Sequence, residues 1–423
     1  MSRFPMSPLH HLQRRWFLQG SAFTGANLLL GCGDDEAAPG GTGADPGGEN
    51  ATSRATTDEE QPPGRCDSLE GGELEATIPL GPEPQIPLDQ KFGQGWDARL
   101  YHDLSILDDD TLVTPNELFY IRTERPDQLT VAPEDWTITL EGLVAETVTL
   151  RMSDLEPLVE PMGVHVLECS GNSDGGAFGL LSAAEWDGVP LAAIFDRVDA
   201  MPAATRVLIE GFDGHSVPSR NNHSTPGAAW VFTFEELLEA GAFLATHMNG
   251  ELLPPDHGEP VRLFVPGWYG CCHIKWVQTM QWVSDDAPST SQMREFASRT
   301  HQNGVPNLAS QFRPATMSQS AMPVRVERWR LVDDTVAYRI VGVMWGGATP
   351  TDALSISFDG GRSFAPVDFC RPPPTDNQSW SLWEHLWQPT EGGTFTVRLR
   401  VDDPMIPTIR LDGGWYDRTI TLA

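Results

Sequence analysis

From about residue 90 onward, apolar and polar residues alternate over short stretches of this chain. Trp136-Thr137-Ile138-Thr139-Leu140 and Val148-Thr149-Leu150 have the period of two that places one face of a strand against a core. Arg206 to Glu210 and Val261 to Val265 are short apolar runs bounded by Gly or Pro, which predicts buried strands. Thr233-Phe234-Glu235-Glu236 followed by Leu237 and Leu238 is a capping box, so a helix of a few turns starts there. Beyond about residue 320 the helical signals vanish. Val324-Arg325-Val326, Val336 to Ile340, Leu354 to Phe358 and Phe395 to Leu399 alternate cleanly, with Asp359-Gly360-Gly361 and Gly392-Gly393 as turn signals. The expected architecture is therefore α+β over residues 86–300, then an all-β, immunoglobulin-like sandwich over 301–423.

The first 85 residues carry neither pattern. Arg14-Arg15-Trp16-Phe17-Leu18 resembles a twin-arginine export signal, and Leu29-Leu30-Gly31-Cys32 resembles a lipobox whose cysteine is lipidated. Residues 1–32 are accordingly expected to be an export signal. Residues 33–85, acidic and rich in Gly and Pro, cannot bury enough surface to offset their ordering entropy and are expected to be a flexible tether. The implied location is periplasmic, with attachment to the cell envelope by a lipid anchor only. No apolar run is long enough to span a bilayer as a helix.

Charge narrows the partners. The formal net charge is −31, and such a chain lacks the basic patches that release counterions from nucleic acid, so nucleic acid is excluded as a partner. Six cysteines in 423 residues are too few for a disulfide scaffold, although Cys66 and Cys370 could pair in an oxidising compartment. No GxGxxG follows a strand and no GxxxxGK occurs, which removes the usual support for nicotinamide or ATP chemistry.

The chemistry concentrates in two segments. His165-Val166-Leu167-Glu168 leads into Cys169-Ser170-Gly171-Asn172, a tight polar turn where backbone can approach a bound group and where a thiolate is a soft ligand for a transition metal. Farther on, Asp256-His257-Gly258 and Arg262 precede Gly270-Cys271-Cys272-His273-Ile274-Lys275-Trp276. Arg262, His273 and Lys275 form a cationic set suited to a phosphate.

These segments, in this order, resemble the sulfite oxidase family. Thr114-Pro115-Asn116 through Phe119-Tyr120-Ile121-Arg122, Leu181 to Leu191, and, near the C-terminus, Gly342-Val343-Met344-Trp345 and Ser357 to Phe364 add to the likeness. The resemblance implies a sulfite-oxidase-type molybdopterin-binding domain followed by a dimerisation domain, hence a homodimer. It implies molybdenum ligated by Cys169 beside one molybdopterin. Tyr120, Ile121, Arg122, Asp213, His257 and Arg262 would hold the pterin, with His273, Ile274 and Lys275 at its phosphate. The reaction would be a two-electron oxo transfer on a small-molecule substrate, with electrons passed to a separate acceptor such as a c-type cytochrome. Arg122 and the residue at position 174 would form the catalytic surroundings. Position 174 is Asp here, where sulfite-oxidising relatives carry Arg, and Phe296 is the nearest match to a Tyr those relatives carry. Asp174 thus predicts a substrate other than sulfite. The alternative reading is an envelope lipoprotein that retains the fold as a non-catalytic binding module.

Overall fold

Alternating side chains can be satisfied only by strands with one face buried, and strands dominate the computed structural model. The structure describes residues 66, 69, 71–82, 84, 86–215, 228–371 and 377–422. Arg14, Arg15, Cys32 and most of the 33–85 segment lie outside the described residues. The chain divides into two units, Met1–Pro63 and Gly64–Ala423, and all described residues belong to the second.

The earlier strands are β1 (Glu73–Ile78), β2 (Thr137–Gly142), β3 (Val148–Arg151), β4 (Glu160–Glu168), β5 (Leu181–Pro190) and β6 (Arg206–Gly211). They are followed by β7 (Ala229–Thr233), β8 (Phe243–Met248), β9 (Glu251–Leu252), β10 (Arg262–Phe264) and β11 (Val277–Val283). Short helices α1 (Met152–Leu155), α2 (Leu191–Phe195), α3 (Phe234–Glu239) and α4 (Ser291–Glu295) lie among them. Thr233 caps α3 as its sequence predicts: its hydroxyl accepts from the Glu236 amide and the Glu236 carboxylate accepts from the Thr233 amide. The later strands are β12 (Ser320–Arg330), β13 (Val336–Trp345), β14 (Leu354–Ser357), β15 (Ala365–Pro366), β16 (Asp368–Phe369), β17 (Ser381–Trp387), β18 (Gly393–Val401) and β19 (Arg418–Leu422). A four-residue helix, α5 (Ile409–Asp412), interrupts this otherwise all-strand region.

Two sheets belong to the site-bearing half: β3-β2-β11-β6-β7, in which β2 and β11 run parallel, and β10-β8-β5-β4, with β9 paired to β8. Two more, β1-β12-β13-β17-β16 and β15-β14-β18-β19, are built mainly from the C-terminal residues. Ordered structure begins earlier than the tether assignment anticipated, because β1 pairs antiparallel with β12 from within residues 33–85. Cys66 forms a disulfide with Cys370, with 5.1 Å between their Cα atoms.

A cluster of buried side chains, including Phe119, Tyr120, Trp186, Phe243 and Phe264, packs on the β10-β8-β5-β4 sheet, and Cys169 is one of its members. Trp186 and Phe264 have ring centroids 4.7 Å apart, and Phe243 stacks on Phe264 at 5.1 Å. This aromatic floor fixes the end of β4, where the reactive segment begins.

Candidate active site

Strand β4 ends because the chain must turn. The Cys169 amide bonds the Leu180 carbonyl, the Asn172 amide returns to the Cys169 carbonyl at 2.9 Å, and the Asn172 side-chain oxygen accepts from the Leu180 amide. The Gly171 amide points at the Cys169 sulfur, 3.4 Å away. Burial pushes the Cys169 thiol up, while Arg122, that Gly171 amide and Arg299 favour the thiolate. A backbone donor and two guanidiniums are the surroundings that stabilise sulfur as an anionic ligand.

The segment carrying Cys271 and His273 crosses directly over this turn. A Cβ on Gly270 would lie 2.7 Å from the Tyr120 hydroxyl and 3.4 Å from the Cys169 Cα, so only glycine lets the two segments meet. One cavity follows. It is lined by Tyr120, Ile121, Arg122, Cys169, Asp213, His257, Arg262, His273 and Lys275, nine of the residues that the sequence motifs pointed to.

Two predicted residues are not brought there. Ile274 is buried, and its carbonyl accepts from the Leu263 amide, so it serves the strand packing beside the cavity. Asp174 sits on a short turn after the Cys169 segment, with its side chain 64% exposed and one oxygen 3.6 Å from Arg418. It does not line the cavity. Counting residues along a chain does not carry the direction of a side chain through a turn.

The cavity's polar groups are prepared for a ligand. The Lys275 ammonium donates to the Thr123 carbonyl at 2.5 Å and the Asp256 carbonyl at 2.9 Å, and lies over the Trp276 ring. Burial, and then Arg262, lower Lys275 to about 7, whereas burial raises Asp213 to about 7 against the pull of Lys275. Arg262 donates to the His257 carbonyl, and its Nε is buried without a hydrogen-bond partner, as is Oδ1 of Asp213. Unpaired buried polar atoms are costly, and two of them on residues that line one cavity are groups a polar cofactor would satisfy. His257 is lowered to about 3 by burial, with Arg262 and Lys275 adding to it, and its Nε2–H donates to the Asn116 carbonyl. His273 bonds backbone through both ring nitrogens, to the Val265 amide and the Trp268 carbonyl, and burial lowers it well below its ordinary value. Both imidazoles are therefore neutral at pH 7, and the cation set for a phosphate reduces to Arg262 and Lys275.

Sequence motifs did not anticipate the C-terminal contribution. Glu168, with no exposed surface, accepts from the Tyr416 hydroxyl at 2.7 Å, from Arg410 at 3.0 Å and from the Trp345 indole at 3.0 Å. Arg410 also donates to the carbonyls of Ser170 and Arg299. A side chain more than two hundred residues away thus holds the loop that presents Cys169. Nothing local to positions 409–418 announces this role.

The cavity and the buried thiol of Cys169 at its end can be set beside known proteins. Residues 124–291 match the oxidoreductase molybdopterin-binding domain family. The chain is 26% identical to the sulfite oxidase of Gallus gallus over 307 residues, covering 67% of this chain and 65% of that protein. It is 29% identical to the NADPH nitrate reductase of Aspergillus niger over 298 residues, covering 62% of this chain and 32% of that enzyme. The chain thus spans just under two thirds of the first relative and about a third of the second. In fold it is similar to the sulfane dehydrogenase SoxCD from Paracoccus pantotrophus, with a TM-score of 0.56, 17% identity, and coverage of 75% of this chain and 78% of that one. The protein carries a molybdopterin-binding oxidoreductase domain. Over these residues the chain is similar to members of the sulfite oxidase family.

Proposed function

We propose that this chain is a molybdenum–molybdopterin oxidoreductase of the cell envelope that performs two-electron oxo transfer on a small-molecule substrate. The observation that carries the reading is the convergence of Cys169, Arg262, Asp213 and Lys275, from four separate segments, on one cavity with unpaired polar atoms. When bound, the molybdenum cofactor supplies the exchange of an oxygen atom and two electrons with the substrate. The chain supplies the rest. Cys169 is the metal's thiolate ligand, Arg262 and Lys275 hold the phosphate, and Asp213 accepts from the pterin. Tyr120, raised well above its ordinary value by burial, stays protonated and remains a donor. The aromatic floor excludes water and keeps these charges effective.

In this reading electrons leave to a separate acceptor of the c-type cytochrome kind, and the C-terminal sheets form an immunoglobulin-like sandwich that pairs two copies of the chain. Export through Arg14 and Arg15 and lipidation at Cys32 fit the Cys66–Cys370 disulfide, which belongs to an oxidising compartment. The test is Cys169→Ser. A hydroxyl is a harder and far less acidic ligand, so turnover with an artificial electron acceptor should vanish while the unfolding midpoint is kept. A Ser variant that turns over as the native protein does removes Cys169 from the centre of the reading.

A further inference from the structure

No motif accounts for the adjacent cysteines Cys271 and Cys272, and the proposed reaction does not use them. They sit on the tight turn Gly270–Cys272, both buried, with their sulfurs 3.9 Å apart. Cys272 has no exposed surface, whereas Cys271 is on the cavity wall. Among the described residues Cys66 and Cys370 are joined, while Cys169, Cys271 and Cys272 are free. A chain that keeps one disulfide works where thiols are under oxidising pressure, so a second pair this close meets the same chemistry.

Closing that pair would change the turn. The sulfurs must come from 3.9 Å to about 2.05 Å. Disulfide-bonded residues usually keep their Cα atoms about 4.4–6.8 Å apart, whereas neighbours across a trans peptide lie about 3.8 Å apart. The Cys271–Cys272 peptide therefore has to twist. Both of its polar groups are engaged: the Cys271 carbonyl accepts from the Gln292 side chain at 2.5 Å, and the Cys272 amide donates to the Tyr269 carbonyl at 2.9 Å. Gln292 is itself pinned, its side-chain oxygen accepting from the Ala229 amide at 3.1 Å. The residue before the pair, Gly270, has no room for even a Cβ between itself and Tyr120, with the Cys169 Cα close behind. With no space to move inward, the twisted turn has to draw back from the Cys169 loop.

We propose that Cys271 and Cys272 are an oxidation site in the cavity wall, at which a small peroxide forms a vicinal disulfide that loosens the Cys169 turn. The Cys271 sulfur takes one oxygen of hydrogen peroxide, giving a sulfenic acid, and the other oxygen leaves as water. The Cys272 sulfur then displaces the hydroxyl group as a second water and forms the S–S bond. Two electrons pass from the sulfurs to the O–O bond, and the two thiol protons leave in the waters. Such a strained bond is readily opened by a small dithiol, which restores the turn. The site stands apart from the oxidoreductase reading, with which it shares only the Cys169 loop.

The test treats the full chain, purified from a host that makes no molybdopterin, with hydrogen peroxide, and removes the excess with catalase. Tryptic peptides are then read by mass spectrometry. The peptide 263–275 should lose two hydrogens as a single unlinked species and regain them with dithiothreitol. Alkylation of Cys169 by iodoacetamide should be faster in the oxidised chain by about threefold or more, because a buried thiol reacts as its surroundings open. Cys272→Ala should show neither the mass change nor the faster alkylation. Cys271→Ser, whose hydroxyl can be wetted on the cavity wall, should behave alike and serves if the first variant does not fold. A peptide of Cys271 linked to that of Cys169, a pair that stays reduced under peroxide, or a vicinal disulfide that leaves the Cys169 rate unchanged overturns the proposal. Faster alkylation after peroxide in both variants overturns it equally. Molybdenum and pterin content, measured separately, report on the oxidoreductase reading alone, so the two ideas fail independently.

Discussion

Replacing Arg410 by Met tests how the C-terminal residues hold the reactive loop. In the native protein the Glu168 carboxylate is fully buried and has three donors within 3.0 Å, of which Arg410 alone is charged. Burial works against the Arg410 charge, yet Glu168, Tyr416 and Tyr269 hold its pKa above the ordinary range. Met keeps much of the volume but leaves a buried carboxylate with neutral donors only. Breaking a buried ion pair by removing one partner costs about 3–5 kcal/mol. The carbonyls of Ser170 and Arg299 lose a donor as well, at about 1 kcal/mol each where water cannot replace it. A loss of about 5–7 kcal/mol is expected, a large share of the ~5–15 kcal/mol that stabilises a folded domain. Urea unfolding followed by tryptophan fluorescence measures it. The companion variant is Glu168→Gln. Combined with Arg410→Met it should cost clearly less than the sum of the single changes, because the uncompensated charge is gone. If Arg410→Met costs less than about 1 kcal/mol, or if the double variant is simply additive, the network does not bear on stability in this way.

Two further outcomes follow from the same structure. His257 is held at about 3, against an ordinary 6.5, so below pH 6.5 the unfolded chain takes up a proton that the native imidazole refuses. Stability should fall with acid by about 1.4 kcal/mol per pH unit from this group, between about pH 6.5 and 3, and His257→Gln should flatten the dependence of the urea midpoint on pH by that amount; parallel slopes in the two proteins contradict it. Reduction of the Cys66–Cys370 disulfide opens a loop of sequence separation 304, for which the chain-entropy account gives a ceiling of about 5–6 kcal/mol. A marked drop in melting temperature under reducing conditions is expected, absent from a Cys66→Ala/Cys370→Ala double variant, whereas equal melting of the oxidised and reduced native protein contradicts it.

Much of the fold was legible because its strands have one wet face and one dry face. Val336 to Ile340, Phe395 to Leu399 and Trp136 to Leu140 fall within β13, β18 and at the start of β2, and Thr233 caps α3. Strands β5 and β8 were not read, since Ser182-Ala183-Ala184 and Leu244-Ala245-Thr246 are buried on both faces and do not alternate. At the site, Cys169, Arg262 and Lys275 were legible because each sits in a short local motif, and Asp213 was implied by the resemblance alone. Arg299 and Arg410 were not, because tertiary packing alone brings them to the Cys169 turn. Asp174 was misleading for a related reason. Asp174 opens the short turn after Ser173 and its exposed carboxylate lies beside Arg418, so an offset of five residues from Cys169 ends at the surface.

The central claim is that Cys169 and the surrounding cavity hold a molybdenum–molybdopterin cofactor. Metal and pterin analysis of the full chain, purified from a molybdenum-replete host capable of making the cofactor, tests it most directly. The account predicts about one molybdenum and one molybdopterin per chain, with molybdenum lowered in Cys169→Ser and pterin lowered in Arg262→Met. Native protein that is fully folded yet carries neither metal nor pterin contradicts the account and leaves the fold as a non-catalytic binding module.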